Sequence, residues 1–201
     1  PALQDARVLV VGDIMLDRYY HGETSRISPE APVAVVNVEG QEDRPGGAGN
    51  VALNLAALGA AATLIGVVGR DSTADSLRGR LTAAGVQCEF LESSSKPTIT
   101  KLRVISKHQQ LLRLDFEKEF DVSDTLSLGV SVEEKLLNSQ ILVLSDYSKG
   151  TLKDPAALIA LARRLNVPVI VDPKGIDFEK YRGATLICLL YTSPSPRDSD
   201  S

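Results

Sequence analysis

The chain alternates continuous apolar runs with amphipathic stretches. "RVLVVGD" (7–13) is apolar throughout until it closes in Gly-Asp. A run without polar alternation predicts a strand buried on both faces, as in a parallel sheet covered by helices. "TLIGVVG" (63–69), "ILVLSD" (141–146) and "VPVIVDPK" (167–174) repeat the style. Asp13, Asp146 and Asp172 close three of these runs, and the other ends at Gly69, just before Arg70 and Asp71. Helical periods lie between. "NVALNLAALG" predicts a face of Val51, Leu55 and Leu58 with Gly59 as its stop. "DSTADSLRGRLTAAG" predicts Leu77, Leu81 and Ala84 on one face, Asp71 or Ser72 as cap, and Gly85 as stop. "DPAALIALARRLN" starts on Asp154 as cap and Pro155 at the first helical position, with a stripe of Leu158, Leu161, Ala162 and Leu165. "SDTLSLGVSVEEKLLNS" is a weaker helix with Gly129 inside it. The alternation predicts an α/β fold with a mainly parallel sheet.

Two stretches break it. Residues 19–47 have a strand-like centre and no helix. Residues 98–117 predict two strands around a polar turn at Lys107–Gln109. In the second of these, Leu112, Leu114 and Phe116 face one way and Arg113, Asp115 and Glu117 the other. These pieces predict a small extra sheet, suited to a lid, a dimer surface, or both.

Composition narrows the classes. The 201 residues are 43% hydrophobic and 24% charged, enough for a real core. A net charge of −4 gives no global field towards nucleic acid or anionic membrane, so neither is an expected partner. No apolar run approaches the ~20 residues of a membrane span. The start "PALQDARVLVVGD" lacks a signal peptide's pattern, so a cytoplasmic location is expected. Cys88 and Cys188 make neither a disulfide framework nor a metal cluster, and no metal ligands are predicted. His21 and His108 read as exposed loop residues.

Chemistry is expected outside the carboxyl ends of the strands, where open α/β sheets bind ligands. In "RPGGAGNVALNLAALG", Gly46 and Gly47 precede a helix start, and Asn50 offers a donor and an acceptor to a hydroxyl-rich ligand. The same "GAGNVA" mimics a dinucleotide fingerprint, with Asp71 downstream. That fingerprint needs a strand running directly into the first glycine, and "EGQEDRP" is expected to intervene. A Rossmann-type oxidoreductase is therefore kept only as an alternative. Asp13 and Asp17 are candidate acceptors of sugar hydroxyls, although Asp13 alone also reads as a turn or cap residue. Asp146 with Lys149, and Asp172 with Lys174, stand in the same relation to later strands. Lys101, Arg103 and Arg113, with Arg26 and Arg44, put cations on the extra sheet, where the Arg fork matches a phosphate.

"VVGDIMLDRYYHGETSRISPEAPV", "DRPGGAGNVALNLAALGA", "TITKLRVISKHQQLLRLDFE", "LSDYSKG" and "VDPKGIDFEKYRGATL" resemble the heptose 7-phosphate kinases of the ribokinase (PfkB) carbohydrate kinase family, from Arg7 to about Ile187. The resemblance implies a ribokinase-like α/β parallel-sheet sandwich, its N-terminal half only, carrying a β-sheet lid at about 16–44 and 97–117. It implies ATP and Mg²⁺ as cofactors and transfer of phosphate to the C1 hydroxyl of D-glycero-β-D-manno-heptose 7-phosphate, for lipopolysaccharide core synthesis. Asp17, Gly46, Gly47 and Asn50 would hold sugar hydroxyls. Arg103, Arg113 and Lys174 would meet the 7-phosphate, and Asp146 and Lys149 would face nucleotide phosphates or Mg²⁺. The lid would join a partner subunit in a homodimer. Another PfkB sugar kinase remains the alternative within the family.

In that family the catalytic base is an aspartate in a late Gly-Ala-Gly-Asp motif, which this sequence does not contain. The chain is therefore expected to be inactive by itself. "CLLYTSPSPRDSDS" (188–201) has no apolar period, and a DNA encoding it resembles a transposon-end sequencing adapter. Residues 1–187 are expected to be the N-terminal portion of the kinase domain and 188–201 a non-native tail, with a natural Ser/Pro linker as the rival.

Overall fold

The computed structural model describes residues 4, 6–175 and 177–188. The expected non-native tail, apart from Cys188, lies outside them. The elements in order are β1 (Arg7–Gly12), β2 (Ile14–Ile27), β3 (Ala34–Gly47), α1 (Ala48–Ala57), β4 (Ala61–Gly69), α2 (Ser72–Ala83) and β5 (Gln87–Ser93). There follow β6 (Thr100–Ser106), β7 (Gln109–Phe116), α3 (Leu128–Leu136), β8 (Ile141–Ser145), α4 (Pro155–Arg164), β9 (Val169–Asp172) and β10 (Leu186–Ile187).

The core sheet has the order β10-β9-β8-β1-β4-β5, and its ladders are parallel. Period two explains its two covered faces. Leu9 and Val11 of β1 point into one apolar layer, shared with Leu142, Leu144 and the helices α3 and α4. Val8 and Val10 point into the other, shared with Leu64, Val68 and the helices α1 and α2. A strand buried on both sides cannot carry polar positions, which is why the apolar runs are continuous. Strand β5 was not anticipated. Its Gln87 and Glu89 are exposed while Cys88 and Phe90 are half-buried, the alternation of an edge strand.

The caps follow the sequence. Asp71 accepts the Ala74 N–H at 2.9 Å, and Asp154 accepts the Ala157 N–H at 3.0 Å. The predicted faces shift in two helices. In α1 the buried residues are Ala48, Gly49 and Ala52, while Leu58 is 61% exposed. Close approach of α1 to the sheet selects its small residues over its leucines. In α2, Ala74 is buried with Leu77 and Leu81, and Ala84 is exposed. The weak helical stretch divides into a 3-10 turn, Val122–Thr125, and α3, with Gly129 in the first turn of α3. Among the described residues no helix is long and apolar enough to cross a membrane.

The second sheet has the order β3-β2-β6-β7. Its pairs are antiparallel except β2 with β6, which is parallel. Lys107 and His108, at φ 47° and 66°, turn β6 into β7. Both central residues at positive φ suit the right-handed twist of a hairpin. His21 belongs to β2 and is not a loop residue.

The expectation that "EGQEDRP" separates the strand from Gly47 is overturned. Strand β3 runs unbroken into Gly47 and α1 starts at the next residue. Yet β3 lies in the lid sheet, antiparallel to β2. The β-to-α turn is therefore not the parallel-sheet unit that a dinucleotide fingerprint needs. From β1 the chain proceeds to β4 on one side, and β8 later takes the other side. That reversal opens a crevice at the carboxyl ends of β1 and β8.

Candidate functional site

A cavity of about 360 Å³ lies where the crevice meets the lid. Its floor is Met15, Gly46, Gly47 and Asn50, its lid-side wall Asp17, Arg44, Lys101 and Arg103, and Tyr147 comes from the loop after β8. The walls meet because β2 leaves the core directly after Asp13 and β3 returns to it at Gly47, with Met15 opposite Gly46 and Asp17 opposite Arg44. A Cβ at Gly46 would stand 2.5 Å from Asp17 Oδ2 and 2.9 Å from Met15 Cγ. Gly47 holds φ +56°, and a Cβ there would run into the Asp13 carbonyl. Only glycines let the chain pass so close to the carboxylate. Asn50, exposed to the cavity, lies in the first turn of α1, where backbone N–H groups lack intrahelical acceptors.

Charge is arranged in pairs on the lid. Asp17 and Arg103 meet at 2.6 Å, with side chains 22% and 20% exposed. Arg44 forks onto Glu42 at 2.7 and 2.9 Å. The Tyr19 ring lies against both guanidinium groups, 4.8 Å from Arg44 Cζ and 5.2 Å from Arg103 Cζ. Such contacts fix where the cations stand. Lys101 is the backbone neighbour of Asp17 across β2 and β6. The cavity thus offers one carboxylate among three cations, a chemistry for a hydroxylated anion.

The structure brings Asp17, Gly46, Gly47, Asn50 and Arg103 together at this cavity, with Lys101 and Arg44 beside them. Arg113 stands opposite Arg103 in the ladder, exposed and paired with Asp115 at 3.0 Å, outside the lining. Lys174 follows β9, exposed, and is also outside it. Arg26 is exposed near the far end of β2. Asp146 is 3% exposed and accepts from the Tyr181 hydroxyl at 2.6 Å, the Ser148 N–H at 2.8 Å and Lys180 Nζ at 2.9 Å. Lys149 Nζ pairs with Glu117 at 2.9 Å. Asp172 lies near the Ser145 and Tyr147 hydroxyls, at 3.4 and 3.5 Å. Burial pushes the carboxyl of Asp172 above its usual range, against those two hydroxyls.

Asp13 differs from its reading as a hydroxyl acceptor. It is fully buried, and both its oxygens receive backbone N–H groups from the 147–151 loop. Tyr147 and Met15 line the cavity without having been singled out from the sequence. Tyr147 had one signal, its position directly after a strand-end aspartate. Met15 had none, because a methionine inside an apolar run reads as core.

Comparison with known proteins gives a consistent result. The pfkB family of carbohydrate kinases matches residues 5–188. The chain is 61% identical over 187 residues to the bifunctional protein HldE of Hahella chejuensis, covering 93% of this chain and 39% of that protein. It is 62% identical over 187 residues to the bifunctional protein HldE of Pseudomonas aeruginosa, again at 93% and 39%. The chain therefore spans about two fifths of the length of these curated relatives. Among solved structures, it resembles an Arabidopsis thaliana ribokinase complexed with ribose and ATP (TM-score 0.66, 16% identity), covering 92% of this chain and 60% of that one. It also resembles the tetrameric inhibited form of Escherichia coli phosphofructokinase-2 (TM-score 0.64, 24% identity), covering 85% and 55%. At those identities the structural likeness establishes the ribokinase-like fold.

Proposed function

This chain belongs to the pfkB family of carbohydrate kinases, and from that membership we propose that the intact protein phosphorylates the C1 hydroxyl of D-glycero-β-D-manno-heptose 7-phosphate. The product is the 1,7-bisphosphate, an intermediate of ADP-heptose synthesis in the cytoplasm. The observation that carries this reading is the cavity in which Asp17, Gly46, Gly47 and Asn50 meet Lys101 and Arg103. Asp17 and Asn50 accept and donate to hydroxyls, and the glycines admit the sugar to the helix start. Arg103 exchanges Asp17 for the substrate phosphate, which frees the carboxylate for the sugar.

ATP is the phosphoryl donor in this reading, with Mg²⁺ neutralising its phosphates. The described residues fit these groups poorly. Asp146 and Lys149 are already engaged by Tyr181, Lys180 and Glu117. The task of the 201-residue chain is accordingly to bind and orient the phosphosugar, and it turns over none by itself. The lid also serves as a homodimer surface. Leu112, Leu114 and Phe116 are 51%, 41% and 52% exposed on its apolar face, which a second copy would cover.

The test pairs two proteins. The full-length protein with Mg-ATP and heptose 7-phosphate releases ADP and forms the 1,7-bisphosphate. The 201-residue chain binds heptose 7-phosphate by calorimetry and forms no product. Faster turnover by the full-length protein with an unphosphorylated sugar would overturn the substrate and favour another sugar kinase of the family. Turnover by the 201-residue chain would overturn the division of labour.

A further inference from the structure

We propose that Asp13 is a positioning residue, whose buried carboxylate clamps the 147–151 loop against the Gly46–Gly47 turn and so sets the width of the sugar cavity. Asp13 is 0% exposed. Its Oδ2 accepts the N–H of Tyr147 at 2.8 Å and of Lys149 at 3.1 Å, and its Oδ1 accepts the N–H of Thr151 at 3.0 Å. Its own N–H donates to the Ser145 carbonyl at 3.1 Å, and its carbonyl accepts the N–H of Ala48, first residue of α1, at 2.9 Å. One residue thus ties the end of β8, the loop behind it and the start of α1. Tyr147 and the Gly46–Gly47–Asn50 segment both line the cavity, so the tie between them bears on its shape.

The loop is shaped for an anion. Alternate residues Ser148 and Gly150 hold φ +55° and +105°, so the N–H groups of 147, 149 and 151 converge. Converging backbone N–H groups form an anion-binding nest, and here the anion is a side chain of the protein itself. Gly150 is confined there, since a Cβ on it would stand 2.7 Å from the Phe120 nitrogen. A carboxylate offers lone pairs on both oxygens and so accepts all three donors without presenting one of its own. An asparagine at 13 would set an NH₂ group against an N–H. A buried donor left without its acceptor, repelled instead, opens the loop.

The ligand in the test comes from the proposed function, but the clamp is measured without it. In the unmodified chain the amides of Tyr147, Lys149 and Thr151 should exchange as slowly as those of β1. Exchange as fast as in the 94–97 loop would overturn the clamp. Asp13→Asn should speed those three amides at least about tenfold and weaken heptose 7-phosphate binding by a similar factor. Leu158→Ala, in the apolar layer on the far side of the sheet, should lower thermal stability and leave that affinity unchanged. Equal loss of affinity in both variants reduces Asp13 to a stability residue and defeats the proposal, as does undiminished binding by Asp13→Asn. If Asp13→Asn does not fold, Gly150→Ala distorts the same nest and should show the same loss. If the unmodified chain binds no heptose 7-phosphate, the substrate reading fails while the exchange pattern still decides the clamp.

Discussion

The core sheet and the lid sheet solve opposite problems with the same chain. The core strands β1, β4 and β8 are buried on both faces and hold by apolar packing. The lid strands are buried mainly where they leave the core, at Ile14–Leu16 and in parts of β6, and β7 is exposed along its whole length. The lid holds by ladder hydrogen bonds and by charge pairs such as Arg18–Asp43, bonded at 2.7 and 2.8 Å, and Asp17–Arg103. The core is therefore rigid and chemically silent, while the lid carries the groups able to change partners. The cavity lies at their junction, where rigidity supplies position and the lid supplies charge.

Four tests sharpen that contrast, in order of expected effect. Leu142→Ala, at 0% exposure in the core, should cost about 2–5 kcal/mol of unfolding free energy in denaturant. Leu114→Ala, at 41% exposure in the lid, should cost under about 1 kcal/mol by the same measurement. Equal costs would erase the distinction between the two sheets. Next, Gly46→Ala should weaken heptose 7-phosphate binding about a hundredfold, because its Cβ enters the space of Asp17 Oδ2. Gly129→Ala, whose Cβ meets nothing within 4 Å, should leave binding untouched and slightly raise stability. Calorimetry and melting curves separate these outcomes. Third, Leu114→Glu should shift a homodimer of the protein towards monomer by a few-fold in dissociation constant. Sedimentation at several concentrations checks this, and an unchanged distribution would remove the lid as the interface.

The smallest effect is in pH, and the two regions carry it with opposite signs. The hydrogen bond from Arg18 holds the Asp43 carboxyl below its usual range, against burial. A depressed native value stabilises above the unfolded pKa and is lost as pH falls through the native one. Burial raises the Asp13 carboxyl above its usual range despite its backbone donors. A raised native value works the other way, so its contribution falls as pH climbs from about 4 towards that value. Asp43→Asn should therefore flatten the acid loss of stability. Asp13→Asn should remove the opposing slope. Melting curves between pH 3 and 6, roughly the carboxylate range, report both.

The legibility of this chain follows the same division. The core strands β1, β4, β8 and β9, the caps Asp71 and Asp154, and the two stretches that form the lid were readable, because apolar runs and helix ends leave local marks, whereas the edge strand β5 did not. The cluster of Gly46, Gly47 and Asn50 was readable for the same reason. The buried face of α1 was not, because how closely a helix approaches a sheet is decided by the sheet. Asp13 and Asp17 looked alike in "GDIMLD", with each carboxylate near a strand end. One is sealed in the nest of a loop more than 130 residues away, and the other opens to the cavity.

By itself, the sequence determined the alternation of elements, the parallel core and the family, since apolar period, capping and glycine placement act over a few residues. Only the tertiary structure decided which charges are spent and which are available. Asp13, Asp146 and Lys149 are consumed by partners at 147–151, at 180–181 and at Glu117, whereas Asp17 and Arg103 are paired inside the cavity. The reason is physical. A charge's role is set by what surrounds it in space, and those neighbours come from segments the local pattern does not connect.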